Sequence, residues 1–274
     1  MNESDMVIMV GARVADRAVN QPERITKGKI LVHMDVDPAE IGKNAGPTIP
    51  LVGDAKHIFA DMLEQEIECD HEEWIELLTE YKKNMKGKRE PNPAYVDPAA
   101  FVRRLSEKME ANGIYAADVG QNQIWSCKNY QMREGSFLTS GGMGTMGYSI
   151  PAAMGAKLGC PDRQAVAVCG DGSFQMSMME LATMCQHHVP VKVVVMRNGY
   201  LGMVREYQFN TYDARYSVVT LSGSPDLSKI AEAYDIPFIR LSNMQDAEEA
   251  IDRLLAHDES VLMECLVDPM DTVK

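Results

Sequence analysis

The sequence predicts an α/β protein built on doubly wound parallel sheets. Short apolar runs alternate along the chain with segments of helical spacing, and several of these runs end directly in glycine-containing loops. Because a helix between two strands returns the chain to the same end of the sheet, this order favours parallel strands with their loops gathered at the carboxyl edge. The 274 residues, 45% of them hydrophobic, suffice for two units of ordinary size.

The N-terminal part shows an α/β pattern from its first residues. An apolar strand over 5–13 runs into a glycine turn, a second strand covers 29–35, and residues 50–55 precede an amphipathic helix near 57–68. Parallel strands are normally covered on both sides, so a buried strand at a chain terminus is unusual. We therefore expect residues 1 to about 65 to be the second half of a domain of Rossmann type.

A charged segment separates this part from the rest of the chain. Residues 69–98 are rich in Lys and Glu, contain Pro91 and Pro93, and show no strand pattern after one short helix. We interpret them as an interdomain linker. The predicted units are therefore 1–68 and 99–274.

The second predicted unit repeats the strand, loop and helix order. Its elements in chain order are a helix near 99–112, a strand at 114–119, a glycine-rich turn at 140–147, a helix from about 150, a strand at 164–169, a helix at 177–188, and strands at 191–196 and 261–267. Open parallel sheets bind ligands outside the carboxyl ends of their strands. We therefore look for the functional residues in the loops that follow these strands.

Composition excludes several classes of function. The net charge of −13 disfavours non-specific binding to nucleic acid or to an anionic membrane. No apolar run approaches the roughly 20 residues that span a bilayer, and no secretory leader pattern opens the chain. The six cysteines are scattered without metal-ligand spacing, as expected for free thiols in a reducing compartment. We expect a soluble cytoplasmic protein.

One loop combines glycines with a carboxylate. Residues 170–173 (GDGS) follow an all-apolar strand and open a helix. Glycines allow close approach of a ligand, and main-chain N–H groups at such a turn favour an anion such as a phosphate. Asp171 would repel a phosphate unless a divalent cation lay between them. The sequence therefore indicates a metal-bound diphosphate.

A second loop supports this interpretation. Asn198 stands 27 positions after Asp171 and also follows an apolar strand, in the string NGY at 198–200. Both side chains should reach the same sheet edge, and their oxygen atoms suit Mg²⁺. A lone Gly-Asp-Gly also occurs in ordinary turns. The two motifs in matching contexts favour the ligand site over the turn alone.

The amino-acid sequence around these motifs resembles that of one enzyme family, across residues 2 to about 268. Together with GDGS and NGY, several strings are similar to the catalytic subunit of acetolactate (acetohydroxyacid) synthase, an enzyme dependent on thiamine diphosphate. These strings are GQNQIW at 120–125, TSGGMGTMG at 139–147, PAA at 151–153 and LGMVREYQ at 201–208.

The resemblance implies a role for each of these positions. Mg²⁺ would be bound by Asp171, Asn198 and the backbone carbonyl of Tyr200, and the diphosphate would lie against Gly170, Gly172 and Ser173. Met146 would be the wedge under the thiazolium ring that bends the cofactor, although a methionine considered alone is more typical of core filling. Gln121 is carried over with Met146 as catalytic. The other implied thiamine-pocket positions are Val119, Gly120, Asn122, Gly144, Leu201, Gly202 and Met203.

The N-terminal unit resembles the family's FAD-binding domain. The positions implied to contact FAD are Gly11, Ala12, Arg13, Arg17, Asp35, Val36, Gly53 and Asp54, together with Gln123, Gly141 and Gly142. Arginines after a glycine turn suit a diphosphate, and an acidic residue that ends the second strand suits a ribose. Without the resemblance, solvated surface arginines are an equal interpretation.

Two positions depart from the family pattern. Tyr207 stands where the family usually has Trp, in the substrate channel with Met203, and the smaller ring should weaken the preference for 2-ketobutyrate over pyruvate. Asn122 replaces the usual histidine and removes a titratable group near the cofactor.

The implied reaction belongs to branched-chain amino-acid biosynthesis. Pyruvate is decarboxylated on thiamine diphosphate, and the resulting two-carbon unit condenses with a second 2-keto acid. The family's activating glutamate comes from a domain with no counterpart here, so we expect this chain alone to lack turnover. Two alternatives remain: another thiamine diphosphate and FAD enzyme, such as pyruvate oxidase or a different carboligase, and an inactive module for cofactor binding and dimerisation. The resemblance also implies a homodimer or higher oligomer and allows a small regulatory subunit.

Overall fold

The computed structural model describes residues 3–15, 19, 21–65, 70–84 and 90–273. The chain divides into two compact units, Met1–Lys86 and Gly87–Lys274. Each contains a parallel sheet with helices between its strands, so the predicted α/β class is confirmed. None of the helices in the described ranges has the length and apolar character that a bilayer crossing requires.

The first unit is built on a three-stranded parallel sheet with the order β1-β2-β3. Its elements are β1 (Met6–Val10), α1 (Glu23–Thr26), β2 (Ile30–Asp35), β3 (Ile49–Val52), α2 (Ala55–Leu63) and α3 (Glu72–Asn84). The predicted helix near 57–68 begins two residues earlier, because the carboxylate of Asp54 accepts a hydrogen bond from Lys56 N and caps α2. One face of the sheet carries a small core of Val7, Met9 and Leu31 with Ile25 of α1.

The second unit is built on six parallel strands in the order β5-β4-β6-β7-β9-β8. Its strands are β4 (Ile114–Ala117), β5 (Ser136–Thr139), β6 (Ala165–Gly170), β7 (Lys192–Arg197), β8 (Phe238–Leu241) and β9 (Val261–Leu266). Its helices are α4 (Pro98–Lys108), α5 (Gln121–Asn129), α6 (Ser149–Gly159), α7 (Asp171–Ser177), α8 (Glu180–Gln186), α9 (Gly202–Thr211), α10 (Leu227–Ala233) and α11 (Ala247–Ala256).

Both faces of this sheet are covered, as a doubly wound fold requires. On one face, strand residues such as Val166 and Val194 pack against α4 and α11, which contribute Phe101 and Ile251. On the other face, residues such as Ala167 pack against α6, α7 and α8. The central strands β6, β7 and β9 are therefore apolar at most positions, which is why they read as nearly continuous hydrophobic runs.

The strand order places a topological switch point between β4 and β6. After β4 the chain moves outward to β5, whereas after β6 it moves in the opposite direction to β7. The two connecting loops diverge and leave a crevice at the carboxyl edge of the sheet. Residues 118–120 and 170–172 therefore border this crevice.

One predicted helix is divided. Residues 177–188 were expected to form a single helix, but helical structure begins at Asp171 and is interrupted between α7 and α8. Leu181 N and Ala182 N bond to the carbonyl oxygens of Met178 and Met179, three residues back, which marks a tight turn at the junction. The sequence pattern also missed β5, because its four half-buried residues form the sheet edge.

A buried ion-pair cluster connects three strands of the sheet. The Glu264 side chain on β9 is 1% exposed, and its two oxygens accept from Arg197 Nη1 of β7 and from Arg240 Nε of β8, each at 2.6 Å. Because both cations lie partly at the surface, the carboxylate is the member that cannot be solvated. The cluster also holds Arg197, which directly precedes Asn198.

We predict that Glu264→Gln lowers the free energy of unfolding by about 2 kcal/mol, because two charge-assisted hydrogen bonds to a buried group are weakened. Glu248→Gln is the matched control: its 56% exposed side chain also pairs with two cations, Arg104 and Lys108. Solvent screening should limit that loss to about 0.5 kcal/mol. Urea denaturation measures both, and equal losses would contradict the burial argument.

Candidate functional site

The loop after β4 is organised by a buried aspartate that the sequence analysis missed. Asp118 is fully buried, and its carboxylate accepts three main-chain hydrogen bonds, from Val119 N at 2.8 Å, Gly147 N at 2.9 Å and Ser149 N at 2.7 Å. It therefore fixes the end of the glycine-rich turn and the start of α6 against the loop. The available signal was an acidic residue directly after an apolar strand.

Two polar side chains join the loops on either side of the crevice. Asn122 Nδ2 donates to the carbonyl oxygens of Asp118 and of Val168, on neighbouring strands. Ser173 Oγ donates to Val119 O at 3.0 Å. The predicted residues Val119, Asn122 and Ser173 are thus brought together, with Gly120 between them at φ 138°, a conformation that favours glycine.

Asp171 is a buried carboxyl group at the carboxyl end of β6. It is 4% exposed, and its oxygens accept hydrogen bonds from Gly199 N at 2.7 Å and Gly172 N at 3.1 Å. Burial raises its pKa to about 6, while these two N–H groups and the charge of Arg197 act in the opposite direction. The bond to Gly199 brings Asp171 to the loop after β7, so the two predicted motifs meet.

Asn198 lies in a network of amide groups. Its Oδ1 accepts from Tyr200 N at 3.0 Å, and its Nδ2 donates to Gln121 Oε1 at 3.2 Å. Gly202 lies against this pair, since a Cβ atom there would lie 2.0 Å from Gln121 Oε1 and 2.8 Å from Asn198 Nδ2. Only glycine leaves the Gln121–Asn198 contact intact.

Met146 and Leu201 lie beside the glycine-containing loop. A Cβ atom at Gly172 would approach Leu201 Cδ2 to 2.7 Å and Met146 Cε to 3.3 Å. The three residues come from different parts of the sequence and converge at Gly172. Gly144, in the same turn as Met146, has φ 66° and is exposed.

The loop that contains Tyr200 is held by a partner segment that the sequence analysis did not find. Leu201 N donates to Val219 O at 2.8 Å, and Leu221 N donates to Gly199 O at 2.9 Å. This short antiparallel pairing fixes the backbone through Tyr200. Met203 and Tyr207 follow on α9, where the Tyr207 side chain is 58% exposed.

The last described residues lie across α5 and α9. Arg205 Nη1 donates to Pro269 O at 2.9 Å, and Gln121 Nε2 donates to Asp271 O at 3.0 Å. Val273 N donates to a carboxylate oxygen of Glu206 at 3.1 Å. Arg205 and Glu206 are both 6% exposed, and their side chains hold this segment through these hydrogen bonds.

The predicted FAD positions of the first unit gather at the carboxyl edge of its sheet. Gly11 follows β1 with φ 59°, and its N–H donates to Met34 O at 2.8 Å. His33 accepts from Gly42 N at Nδ1, so its Nε2 carries a proton and donates to Ala12 O at 3.1 Å. Arg13 is exposed, and Arg17 lies outside the described residues.

The other predicted FAD positions have local roles as well. Asp35 ends β2 and accepts from Asp37 N at 2.9 Å, whereas Asp54 caps α2. Val36 is 73% exposed, and Gly53 N donates to Asp35 O. Gln123, Gly141 and Gly142 belong to the second unit, where Gln123 Nε2 donates to Thr139 Oγ1 at 2.8 Å.

Comparison with known families identifies this arrangement. The sequence model of the thiamine pyrophosphate enzyme C-terminal TPP-binding domain matches residues 118–265, more than half of the chain. The chain belongs to the thiamine pyrophosphate enzyme family. The model of the family's central domain matches residues 1–63. The match to the TPP-binding domain begins at Asp118 and includes Asp171 and Asn198.

Similar curated proteins share one description. The acetolactate synthase large subunit of Lactococcus lactis subsp. lactis is 34% identical over 273 residues, covering 99% of this chain and 47% of that protein. A probable acetolactate synthase large subunit of Methanocaldococcus jannaschii is 35% identical over 283 residues, covering 100% and 48%. The acetolactate synthase large subunit of Pyropia yezoensis is 32% identical over 274 residues, covering 97% of this chain and 46% of that protein. The chain thus spans about half the length of the curated relatives it matches.

We predict that Gly202→Ala weakens thiamine pyrophosphate binding about tenfold or more, because the new methyl group separates Gln121 from Asn198. Gly155→Ala is the matched control, since Gly155 is also helical and has no atom within 4 Å of an added Cβ. That change should leave binding unaltered and slightly stabilise α6. Calorimetric titration of both variants measures the difference, and unaltered binding by Gly202→Ala would contradict the assigned contact.

We further predict a pH signature of Asp171 without divalent cations. The folded state holds this proton up to about pH 6, whereas the unfolded chain releases it near its ordinary pKa of 3.8. The contribution of Asp171 to the free energy of unfolding is therefore fully present below its pKa in the unfolded chain. It is lost as pH rises through its pKa in the folded chain, by about 3 kcal/mol in total. Urea denaturation between about pH 4 and pH 7 should show this fall in the native chain and not in Asp171→Asn; parallel curves would refute it.

Proposed function

We propose that the second unit binds thiamine diphosphate, also called thiamine pyrophosphate, through Mg²⁺ held by Asp171, Asn198 and the carbonyl oxygen of Tyr200. The chemistry of these groups supports the assignment, because carboxylate, amide and carbonyl oxygens are the ligands of a hard cation. The burial of Asp171 supports the assignment as well. Burial disfavours the charged form of this carboxylate, and a bound cation would stabilise it. Asn198 Oδ1 keeps a lone pair beyond the one that Tyr200 N uses.

The diphosphate would lie against Gly170, Gly172 and Ser173. The absence of side chains at the two glycines supports this placement, because it permits close approach to the backbone at the turn. Val119, Gly120, Asn122, Gly144, Gly202 and Met203 would complete the pocket around them. Met146 and Leu201 supply an apolar wall beside Gly172, which supports a role for Met146 in setting the shape of the bound cofactor.

The whole protein of which these residues form part is proposed to be an acetolactate synthase, a transferase of branched-chain amino-acid biosynthesis. The observation that carries this proposal is similarity over 97% or more of the chain to acetolactate synthase large subunits, with the metal and diphosphate motifs brought together. When bound, thiamine diphosphate would supply the electron sink for the loss of carbon dioxide from pyruvate. The protein residues bind and orient that cofactor and shape the channel for the second 2-keto acid at Met203 and Tyr207.

We propose in addition that the first unit contributes to FAD binding. The convergence of Gly11, Ala12, Arg13 and Asp35 at one sheet edge supports this, because ligands of parallel sheets bind there. Residues 69–98 are proposed as the connection between the domains. We also propose a cytoplasmic homodimer or larger oligomer, which a small regulatory subunit could join.

Turnover of pyruvate by the whole protein, of which this chain is proposed to form part, tests the function directly. With thiamine diphosphate, Mg²⁺ and FAD present, the proposal expects acetolactate and carbon dioxide without oxygen consumption. Oxygen uptake without acetolactate would instead support an oxidase. Cofactor binding with no turnover would support a cofactor-binding module.

We predict that Tyr207→Trp in the whole protein raises the yield of acetohydroxybutyrate relative to acetolactate several-fold when pyruvate and 2-ketobutyrate compete. The larger ring adds apolar contact for the extra methylene of 2-ketobutyrate. Tyr212→Trp is the control, since Tyr212 is also exposed and packs edge-on against Tyr207, with ring centroids 5.9 Å apart. Product analysis by mass spectrometry measures the ratio; an equal change in both variants would exclude a specific role of position 207.

A further inference from the structure

The buried carboxylate of Glu206 lies at the end of a series of hydrogen bonds that reaches a proposed metal ligand. Glu206 on α9 is 6% exposed, and Oε2 accepts from Gln121 Nε2 at 3.0 Å. Gln121 Oε1 accepts from Asn198 Nδ2 at 3.2 Å. The hydrogen bonds therefore connect Glu206 through Gln121 to Asn198.

The chemistry of these groups determines the direction of every bond in this series. An ionised carboxylate can only accept, so it must face the NH₂ group of Gln121. Asp271 O accepts from the same NH₂ group at 3.0 Å and imposes the same orientation. The carbonyl oxygen of Gln121 is consequently directed at Asn198, whose NH₂ group must donate the hydrogen bond.

We propose that Glu206 is a positioning residue for the Mg²⁺ site: through Gln121 it fixes the side-chain amide of Asn198 so that Oδ1 remains available to the cation. An amide turned by 180° would present NH₂, which cannot bind a metal ion. Partners behind a metal ligand commonly set its orientation and contribute to affinity. This inference rests on the proposed metal site at Asp171 and Asn198.

Substitution of Glu206 on α9 tests this role directly. Glu206→Gln keeps the size of the side chain but adds a donor, so of the two acceptors only the carbonyl oxygen of Asp271 still directs the Gln121 amide. We expect the Mg²⁺-dependent affinity for thiamine diphosphate, measured by calorimetry, to fall about tenfold. Glu249→Gln, an exposed position on α11, removes the same charge and should leave affinity unchanged.

A double-mutant cycle separates positioning from a general structural role. In an Asn198→Asp background the two carboxylate oxygens are equivalent, so there is no amide orientation to set. Glu206→Gln should then cause no loss of Mg²⁺-dependent affinity, whereas a structural role would cost the same in both backgrounds. Melting temperatures of the variants verify that each is folded.

Glu206 also accepts from Val273 N at 3.1 Å, so the C-terminal segment offers a competing explanation. A chain ending at Thr272 removes that bond and leaves Gln121 facing Glu206. The proposal expects this shortened chain to keep the native affinity. Equal binding by the native protein and Glu206→Gln would overturn the positioning role alone, whereas absence of Mg²⁺-dependent binding by the native chain would overturn the metal site and the inference with it.

Discussion

The site depends on a conflict between burial and charge at Asp171. The side chain stands where β6 ends inside a closely packed sheet, and burial raises its pKa to about 6 although two main-chain N–H groups bind it. A structure that needs this carboxylate ionised near neutral pH must supply positive charge nearby. Arg197 supplies part of it, and the ion-pair cluster with Glu264 holds that arginine in place. A divalent cation between Asp171 and a diphosphate would supply the remainder.

The surrounding structure serves to hold three loops in register at the switch point. Asp118 binds the glycine-rich turn, Asn122 joins the ends of β4 and β6, and Asp171 reaches across to Gly199. Each of these contacts joins a side chain to main-chain atoms rather than to another mobile side chain. The positions of the loops are consequently fixed by the sheet itself, and a cofactor would meet a largely preformed site.

Much of this arrangement could be predicted from the sequence, and the reason is local. A buried parallel strand is recognisable as an apolar run, and a glycine-containing loop directly after it must lie at the carboxyl edge. These two local patterns were sufficient to predict that Asp171 and Asn198 lie at the same edge of the sheet. Asp118 and Glu206 were missed, because their significance comes from partners 29 and 85 residues distant along the chain, which no local pattern records. The division of the predicted helix at Met178 likewise depends on how α7 and α8 pack against the sheet.

The most direct test of the account is calorimetric binding of thiamine diphosphate to the native chain and to Asp171→Ala, each with and without Mg²⁺. The account predicts binding by the native chain that requires Mg²⁺ and that the substitution abolishes. Binding that persists without Mg²⁺, or that Asp171→Ala leaves unchanged, would contradict the assignment of Asp171 as the metal ligand on which the site depends.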